Sequence, residues 1–463
     1  FLTRARFRLM DAQIIVSNHA LFFSDLAMRR ELIAGEGGIL PSYAAVILDE
    51  GHTVEDVAAV HLGLRLTSFG LRRILHRLFN PDRNRGLLTD SIYTDARMAV
   101  IDLARNSETF FQRISDWLDN QRDPLRYEKP GHIANMLAET LELVEREVGL
   151  LAKDQTEDEE RSQEFKSVYR RLHEYRLGLH AFLEMTLDEH VYWLERYGRK
   201  HTQVSLNAVP IQVGILLREA LFDQDFPVIA TSATLAVRGQ LRYYQERLGA
   251  DDAEGLILSS PFDFEKQVTL HVPRDMPNPK DFETFVPAAC EHIRQFVTHT
   301  GGKAFVLFTS YRMMREAAAR LEQFFEDSGL KLYVQGAGMP RSRMLAAFRD
   351  DVDSVIFGTS SFWTGVDVPG EALSNVIIVK LPFSVPDHPL IEARQEHIQN
   401  RGGHPFRDYA LPEAILRFRQ GFGRLIRSRD DRGIVVVLDN RIIKTGYGKA
   451  FLESVPNCRR IFF

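Results

Sequence analysis

Two neighbouring carboxylates, Asp49 and Glu50, close a run of five small or aliphatic residues in the stretch 44–52, AAVILDEGH. Such a run reads as a buried strand, so the acids arrive at its C-terminal end, where open α/β sheets bind their ligands. Carboxylates side by side repel each other and lose hydration, which a divalent cation and its waters relieve. The chemistry they suit is Mg²⁺ with a phosphorylated ligand. A buried strand that simply runs into an acidic turn would produce the same string.

Other stretches carry groups of matching chemistry. Residues 227–230 (PVIA) predict a short strand that ends in Thr231, Ser232, Ala233 and Thr234. Small hydroxyls at a strand end can bond to carboxylates, waters or phosphates without blocking close approach, or they can cap a turn. In residues 358–370 (GTSSFWTGVDVPG), Thr359, Ser360 and Ser361 offer hydroxyl and NH groups to phosphates. Gly365 and Gly370 permit a tight backbone there, and Asp367 is a candidate contact to a ribose or an arginine. A plain Gly/Ser loop is the alternative.

Residues 412–428 (PEAILRFRQGFGRLIRS) predict a helix with Pro412 in its first turn. Spacings of four and three then put Gln420, Arg424 and Arg427 on one face. Gly421 and Gly423 inside that helix cost roughly 1 kcal/mol each relative to Ala, which implies a close approach by something else. Two guanidiniums and an amide across a cleft suit a phosphate chain, because Arg forks onto phosphate oxygens and neutralises charge in phosphoryl transfer. A solvated basic helix face is the competing reading.

These groups need elements to carry them. At 463 residues, with 44% hydrophobic and 26% charged content, the chain can bury large cores and should hold two or three domains. A net charge of -5 argues against a uniformly basic coat but leaves room for a local basic groove. The two cysteines, Cys290 and Cys458, supply neither a disulfide framework nor a complete cysteine-ligated cluster, and suit a reducing, cytoplasmic compartment. No apolar run reaches membrane-spanning length, and the start has neither a signal-peptide pattern nor an initiator Met, so a missing upstream piece is expected.

Strands are expected at 12–17 and 44–48, with helices at 20–30 and 53–60 around them. From about residue 66 to 187, long amphipathic segments replace strands, which predicts a helical insert. Alternation at 191–214 marks the α/β unit resuming. Residues 259–279, rich in Pro and Asp, read as a crossing linker. Beyond it, strands AFVLF, KLYVQ, SVIFG, NVIIVKLPF and GIVVVLD alternate with helices, which predicts a second α/β unit with a mostly parallel sheet.

At these residues the chain resembles a known family. AAVILDEGHTVEDVA is similar to a DEAH-type Walker B motif, TSATL (231–235) to motif III, LFTSY (307–311) to motif IV, GTSSFWTGVDVPG to motif V and QGFGRLIRS (420–428) to motif VI of superfamily 2 helicases of the DinG/XPD type. SNHALFFSDL before the acids and KLPFSVPDHPL after motif V narrow the resemblance to the DinG-like branch. The resemblance implies an α/β fold of two RecA-like motor domains with mostly parallel sheets, the first incomplete and carrying an α-helical arch-like insert. The implied boundaries are 1–62 and 189–250 for the first motor domain, 63–188 for the insert and 251–463 for the second.

The same resemblance implies an ATP-dependent DNA helicase moving 5′ to 3′ on single-stranded and forked DNA, in repair or replication; a monomer is the expectation where the sequence leaves oligomeric state open, and no membrane partner is expected. Asp49 would hold Mg²⁺, and Glu50 would orient or deprotonate the water attacking the γ-phosphate. His52, with Thr231, Ser232 and Thr234, would couple nucleotide state to DNA contacts. Arg424 and Arg427 would be arginine fingers, Gln420 would contact the γ-phosphate or the attacking water, and Gly365 and Asp367 would lie at the nucleotide. Ser310, Tyr311, Thr359 and Ser361 would touch the backbone of a single strand.

Two departures stand out. Gly51 replaces the Ala of DEAH, and nothing matches the P-loop G-x-x-x-x-G-K-[ST]. In the family, the P-loop and the four cysteines of a 4Fe-4S cluster lie upstream of residues like these. The expectation is therefore most of a longer ATPase, poorly active as written. The alternatives are a remnant that binds single-stranded DNA without hydrolysis and a nuclease fused to the motor.

Overall fold

The computed structural model describes residues 8–31, 38–153, 159–198, 202–363, 373–384 and 387–463. The first lobe opens with α1 (His19–Glu31), β1 (Val46–Leu48) and α2 (Val54–Leu62). The strand expected at 12–17 does not form. Those residues lack regular structure, with Ile14 and Val16 84% and 94% exposed, because among the described residues no strand stands beside them to complete a ladder.

The insert follows as β2 (Leu64–Thr67), α3 (Ser68–Leu78), α4 (Thr94–Leu118), β3 (Leu125–Arg126), α5 (Ala138–Lys153) and α6 (Glu159–Leu183). The hairpin β4 (His190–Tyr197) and β5 (Gln203–Pro210) then pairs antiparallel in the order β2-β5-β4-β3. The α/β unit expected from residue 191 therefore does not resume there as parallel strands. Both faces of the hairpin are apolar, and a period of two separates them. Tyr192, Leu194, Val204, Leu206 and Ala208 join the core of the helices, whereas Val191, Trp193 and Val209 join that of the first lobe. One hairpin thus welds the two cores together.

The first lobe regains its strand partner only at β6 (Val228–Ala230), parallel to β1, with α7 (Arg242–Leu248) behind it. Val46 and Leu48 point inward onto Phe23, Val54 and Leu217. Their neighbours Ile47 and Ile229 are register partners on the other face, and are 69% and 52% exposed.

The second lobe runs β7 (Val268–Val272), α8 (Phe282–Thr300), β8 (Ala304–Leu307), α9 (Tyr311–Ser328), β9 (Leu332–Val334), α10 (Arg341–Asp350), β10 (Val355–Gly358), β11 (Asn375–Ile378), α11 (Pro389–Asn400), α12 (Leu411–Phe422), β12 (Gly433–Val437) and β13 (Arg459–Phe462). Its seven strands are ordered β13-β7-β12-β11-β8-β10-β9, every neighbouring pair parallel. Alternate residues of β8, such as Phe305 and Val306, enter separate cores on its two faces. Burial on both faces is why these strands read as unbroken apolar runs. The supposed linker at 259–279 contains β7, whose Val268, Leu270 and Val272 are buried while Thr269 and His271 hid the pattern.

Candidate functional site between the lobes

The two carboxylates sit where β1 ends. The Leu48 carbonyl accepts from Thr231 N at 2.9 Å, and the Thr231 carbonyl accepts from Gly51 N at 2.8 Å, so the turn is stitched to the end of β6. Between them Glu50 adopts left-handed backbone angles, φ 49° and ψ 44°, a conformation that costs a non-glycine residue about 1–2 kcal/mol. The strain turns Glu50 away from the strand direction. Asp49 Oδ1 accepts from the Thr231 hydroxyl at 3.0 Å and from Glu50 N at 2.9 Å. Both acidic residues remain exposed.

His52 closes the turn. Its Nδ1 lies 2.9 Å from Ser232 Oγ and 3.3 Å from Glu50 Oε2. Burial pushes the imidazole pKa below its usual value, with Arg424 adding to the effect against the opposing charge of Glu50. Thr53 Oγ1 donates to the Glu50 carbonyl at 3.0 Å and meets His19 Nδ1 at 3.0 Å. Gly51 has a structural reason to lack a side chain. A Cβ there would stand 2.6 Å from the Tyr244 hydroxyl, which donates to the Gly51 carbonyl at 2.9 Å.

The second lobe meets this turn through α12. Gln420 Nε2 donates to Thr234 Oγ1 at 3.2 Å, and Thr234 N donates to Ser232 Oγ at 3.2 Å. Arg419 Nη1 donates to the Ala236 carbonyl at 2.6 Å. A chain of contacts therefore runs from Gln420 through Thr234 and Ser232 to His52. The helix expected at 412–428 stops at Phe422, with Gly423 as its C-cap. Arg424 and Arg427 consequently lie beyond the helix and do not share its Gln420 face. Gly421 is where the close approach occurs: a Cβ would lie 2.8 Å from the Trp363 ring. Arg424 is buried, its Nε and Nη2 donating to the Trp363 carbonyl at 3.2 and 2.6 Å. Arg427 and Ser428 give their backbone NH groups to the Asp431 carboxylate, each at 2.7 Å.

The remaining candidates gather at the C-terminal ends of β8 and β10. Ser310 is the N-cap of α9, its hydroxyl accepting from Met313 N. Tyr311 is 45% exposed, and its hydroxyl accepts from Gln335 Nε2 at 2.7 Å. Gln335 Oε1 in turn accepts from Thr359 N at 2.7 Å and Thr359 Oγ1 at 3.0 Å, so the buried Thr359 is spoken for within the protein. Gln335 was invisible in the sequence, where it merely ends a short strand. Ser361 lies on a short helix, Ser360–Trp363, and Gly365 and Asp367 fall outside the described residues.

Sequence reasoning also missed a buried ion cluster beside the acid turn. Glu55, on α2, receives Arg247 of α7 in a fork and Arg394 of α11 at 2.7 Å. Burial pushes the Glu55 carboxyl up, but the guanidiniums of Arg247 and Arg394 outweigh it and hold its pKa below the usual range. Arg247 lies over the Tyr409 ring at 5.0 Å, and the Tyr243 hydroxyl donates to Glu413 Oε1 at 2.7 Å. Burial, followed by the charge of Glu55, raises the Glu413 pKa. Glu55 looked only like a favourable acid in a first helical turn. Between the lobes, His52, Tyr243, Phe308, Trp363, Glu413 and Gln420 line a cavity of about 490 Å³.

Comparison with known proteins places this geometry among relatives. Residues 293–458 match the family model of a helicase C-terminal domain. The chain is 34% identical to the ATP-dependent DNA helicase YoaA of Haemophilus influenzae, over 99% of this chain and 69% of that protein. It is 29% identical to the 3'-5' exonuclease DinG of Bacillus subtilis, over 98% of this chain and 53% of that protein. Among solved structures, XPD_APO superposes over 100% of this chain and 84% of its own, with a TM-score of 0.62 at 15% identity.

Proposed function

Because the chain belongs to the DinG/YoaA family of ATP-dependent DNA helicases, we propose that it is the larger part of a motor that hydrolyses ATP to move along single-stranded DNA and unwind duplex, 5′ to 3′, in repair or replication. The observation that carries this reading is the contact of Gln420 with Thr234 across the lobes, one step from the turn that bears Asp49, Glu50 and His52. Such a junction lets the state of a nucleotide at the acid turn alter how the lobes meet.

In this reading residues 1–62 and 189–250 build the first motor lobe, 63–188 the arch-like insert and 251–463 the second motor lobe. The donor set fits Mg²⁺. Among the described residues no three His, Cys, Asp or Glu side chains converge as a cage, whereas Mg²⁺ keeps its waters and takes one or two carboxylates beside substrate phosphates. Asp49, exposed and oriented by Thr231, would hold it, and when bound it would neutralise charge on the phosphates. Glu50, held in its left-handed turn, accepts the proton of the attacking water. His52 senses the turn and passes its position to Ser232. Arg424 and Arg427 approach from the second lobe to stabilise charge on the phosphoryl group. Gly365 and Asp367 would complete the nucleotide side, while Ser310, Tyr311, Thr359 and Ser361 lie on the proposed strand path.

This sequence carries no P-loop motif, so hydrolysis requires a protein that sets one beside these residues. Two cysteines cannot complete a 4Fe-4S cluster, and Cys290 is buried, its thiol pushed up to about 11 by that burial, so further cluster ligands would have to come from elsewhere. Among the described residues no helix is long and apolar enough to cross a membrane. In the full-length protein, Glu50→Gln should abolish DNA-stimulated ATPase while nucleotide binding, measured by fluorescence titration, persists. Undiminished turnover would sink the assignment. The chain alone is expected to bind single-stranded DNA without turnover.

A further inference from the structure

Helix α7 is seven residues long, and three of its side chains reach three different structures. Tyr244 bonds the Gly51 carbonyl in the acid turn, and Tyr243 bonds Glu413 on α12 of the second lobe. Arg247 forks onto Glu55, the same carboxylate that Arg394 of α11 reaches, and covers the Tyr409 ring, which precedes α12 of the second lobe. The helix thus touches the acid turn at one point and the opposite lobe through two.

The peptides on either side of Gly51 help to fix the turn that Glu50 occupies. The NH of Gly51 is fixed by the Thr231 carbonyl at 2.8 Å, and its C=O is fixed by the Tyr244 hydroxyl at 2.9 Å. Glu50 itself sits in a strained left-handed conformation that persists only if its surroundings hold it. Its own side chain makes no capping bond to the turn that follows. The clamp on Gly51 thus acts beside the bonds of Glu50 N to Asp49, of Thr53 to the Glu50 carbonyl and of His52 to Ser232, and the missing side chain at residue 51 makes room for it.

We propose that Tyr244 is a positioning residue for Glu50, and that α7 transmits the relation of the two lobes to the acid turn through Tyr243, Tyr244 and Arg247. The proposal rests on the reading of Glu50 as the hydrolytic carboxylate. When the second lobe shifts, Glu413 and Tyr409 move with it; α7 is drawn along, and the Gly51 carbonyl with it. This route leaves α12 at Glu413 rather than Gln420, and reaches the turn at the Gly51 carbonyl rather than at His52.

The full-length protein tests this with four variants, each first shown by thermal melting to be folded. Tyr244→Phe should lower kcat for DNA-stimulated ATP hydrolysis about tenfold with KM for ATP little changed, since a small misplacement of a reacting group costs rate rather than binding. Gly51→Ala should lose more, because its new methyl meets the Tyr244 hydroxyl. Combining it with Tyr244→Phe should restore the rate to that of Tyr244→Phe alone. A merely structural defect would instead compound. Tyr243→Phe should reduce the ratio of stimulated to basal rate with single-stranded DNA about fivefold, as expected for loss of a coupling contact.

Tyr244→Phe at the parental kcat, or no rescue of Gly51→Ala, overturns the positioning role. Full stimulation in Tyr243→Phe overturns the transmission. If Glu50→Gln hydrolyses ATP normally, the functional reading fails first; if Glu50→Gln is inactive while Tyr244→Phe matches the parent, this proposal alone fails.

Discussion

The two lobes hold their site residues by different means. In the second, Ser310 and Thr359 follow strands of a seven-stranded sheet whose two faces are both packed, so the core itself fixes their positions. In the first, the acid turn follows one of two strands paired among the described residues, with exposed isoleucines on their outer face, and side-chain bonds do the fixing: Thr231 to Asp49, Ser232 to His52 and Tyr244 to Gly51. A rigid scaffold tolerates loss of any one polar contact. A turn held by a handful of hydrogen bonds does not.

Core truncation should separate the lobes most sharply. Phe305→Ala, fully buried in the interior strand β8, should cost about 3–5 kcal/mol in urea unfolding of the second lobe. Val46→Ala in β1 should cost roughly 1–2 kcal/mol, because it removes less buried surface from a smaller core. Equal losses would contradict the contrast.

Next in size is the ion cluster. Glu55→Gln leaves Arg247 and Arg394 buried without their carboxylate, and should cost about 3 kcal/mol, measured as a fall in melting temperature. The cluster also predicts a pH effect of definite sign. The folded Glu55 pKa is lowered from 4.5, so its stabilisation is fully present above that value and fades as pH falls through the lowered one. Acid titration of stability should therefore show a loss below about pH 4.5 that Glu55→Gln reduces. A third effect is smaller. Arg126 of the insert forks onto Glu396 of α11 at 2.7 Å, but Glu396 is half exposed, so solvent screening limits the pair. Glu396→Gln should cost about 0.5 kcal/mol or less, and added salt should erase even that.

The same contrast explains what could be read in advance. The second lobe was legible because strands such as AFVLF and SVIFG are apolar throughout, and the acid turn because two carboxylates after a strand are chemically conspicuous. Strand β7 was obscured by Thr269 and His271 at its alternate positions. The helix stop at Phe422 depends on surroundings: Gly421 lies against Trp363, and Arg424 finds the Trp363 carbonyl, 61 residues away in sequence. The Glu55 cluster joins α2, α7 and α11, and pairings between such distant elements leave no local pattern. Tyr244 was likewise unreadable, since its partner is a glycine's carbonyl, although the Gly at residue 51 marked the place to look.

The exposed pair Ile47 and Ile229 bears on how this polypeptide behaves in a test tube. β1 and β6 each keep one unpaired edge among the described residues, and beside those edges lies a bare aliphatic surface. Open strands next to exposed isoleucines are a template for intermolecular pairing and aggregation. Expressed alone, the polypeptide should self-associate as its concentration rises, and light scattering would follow it. Ile47→Lys, which puts a charge on that surface without touching the core side of β1, should raise its solubility.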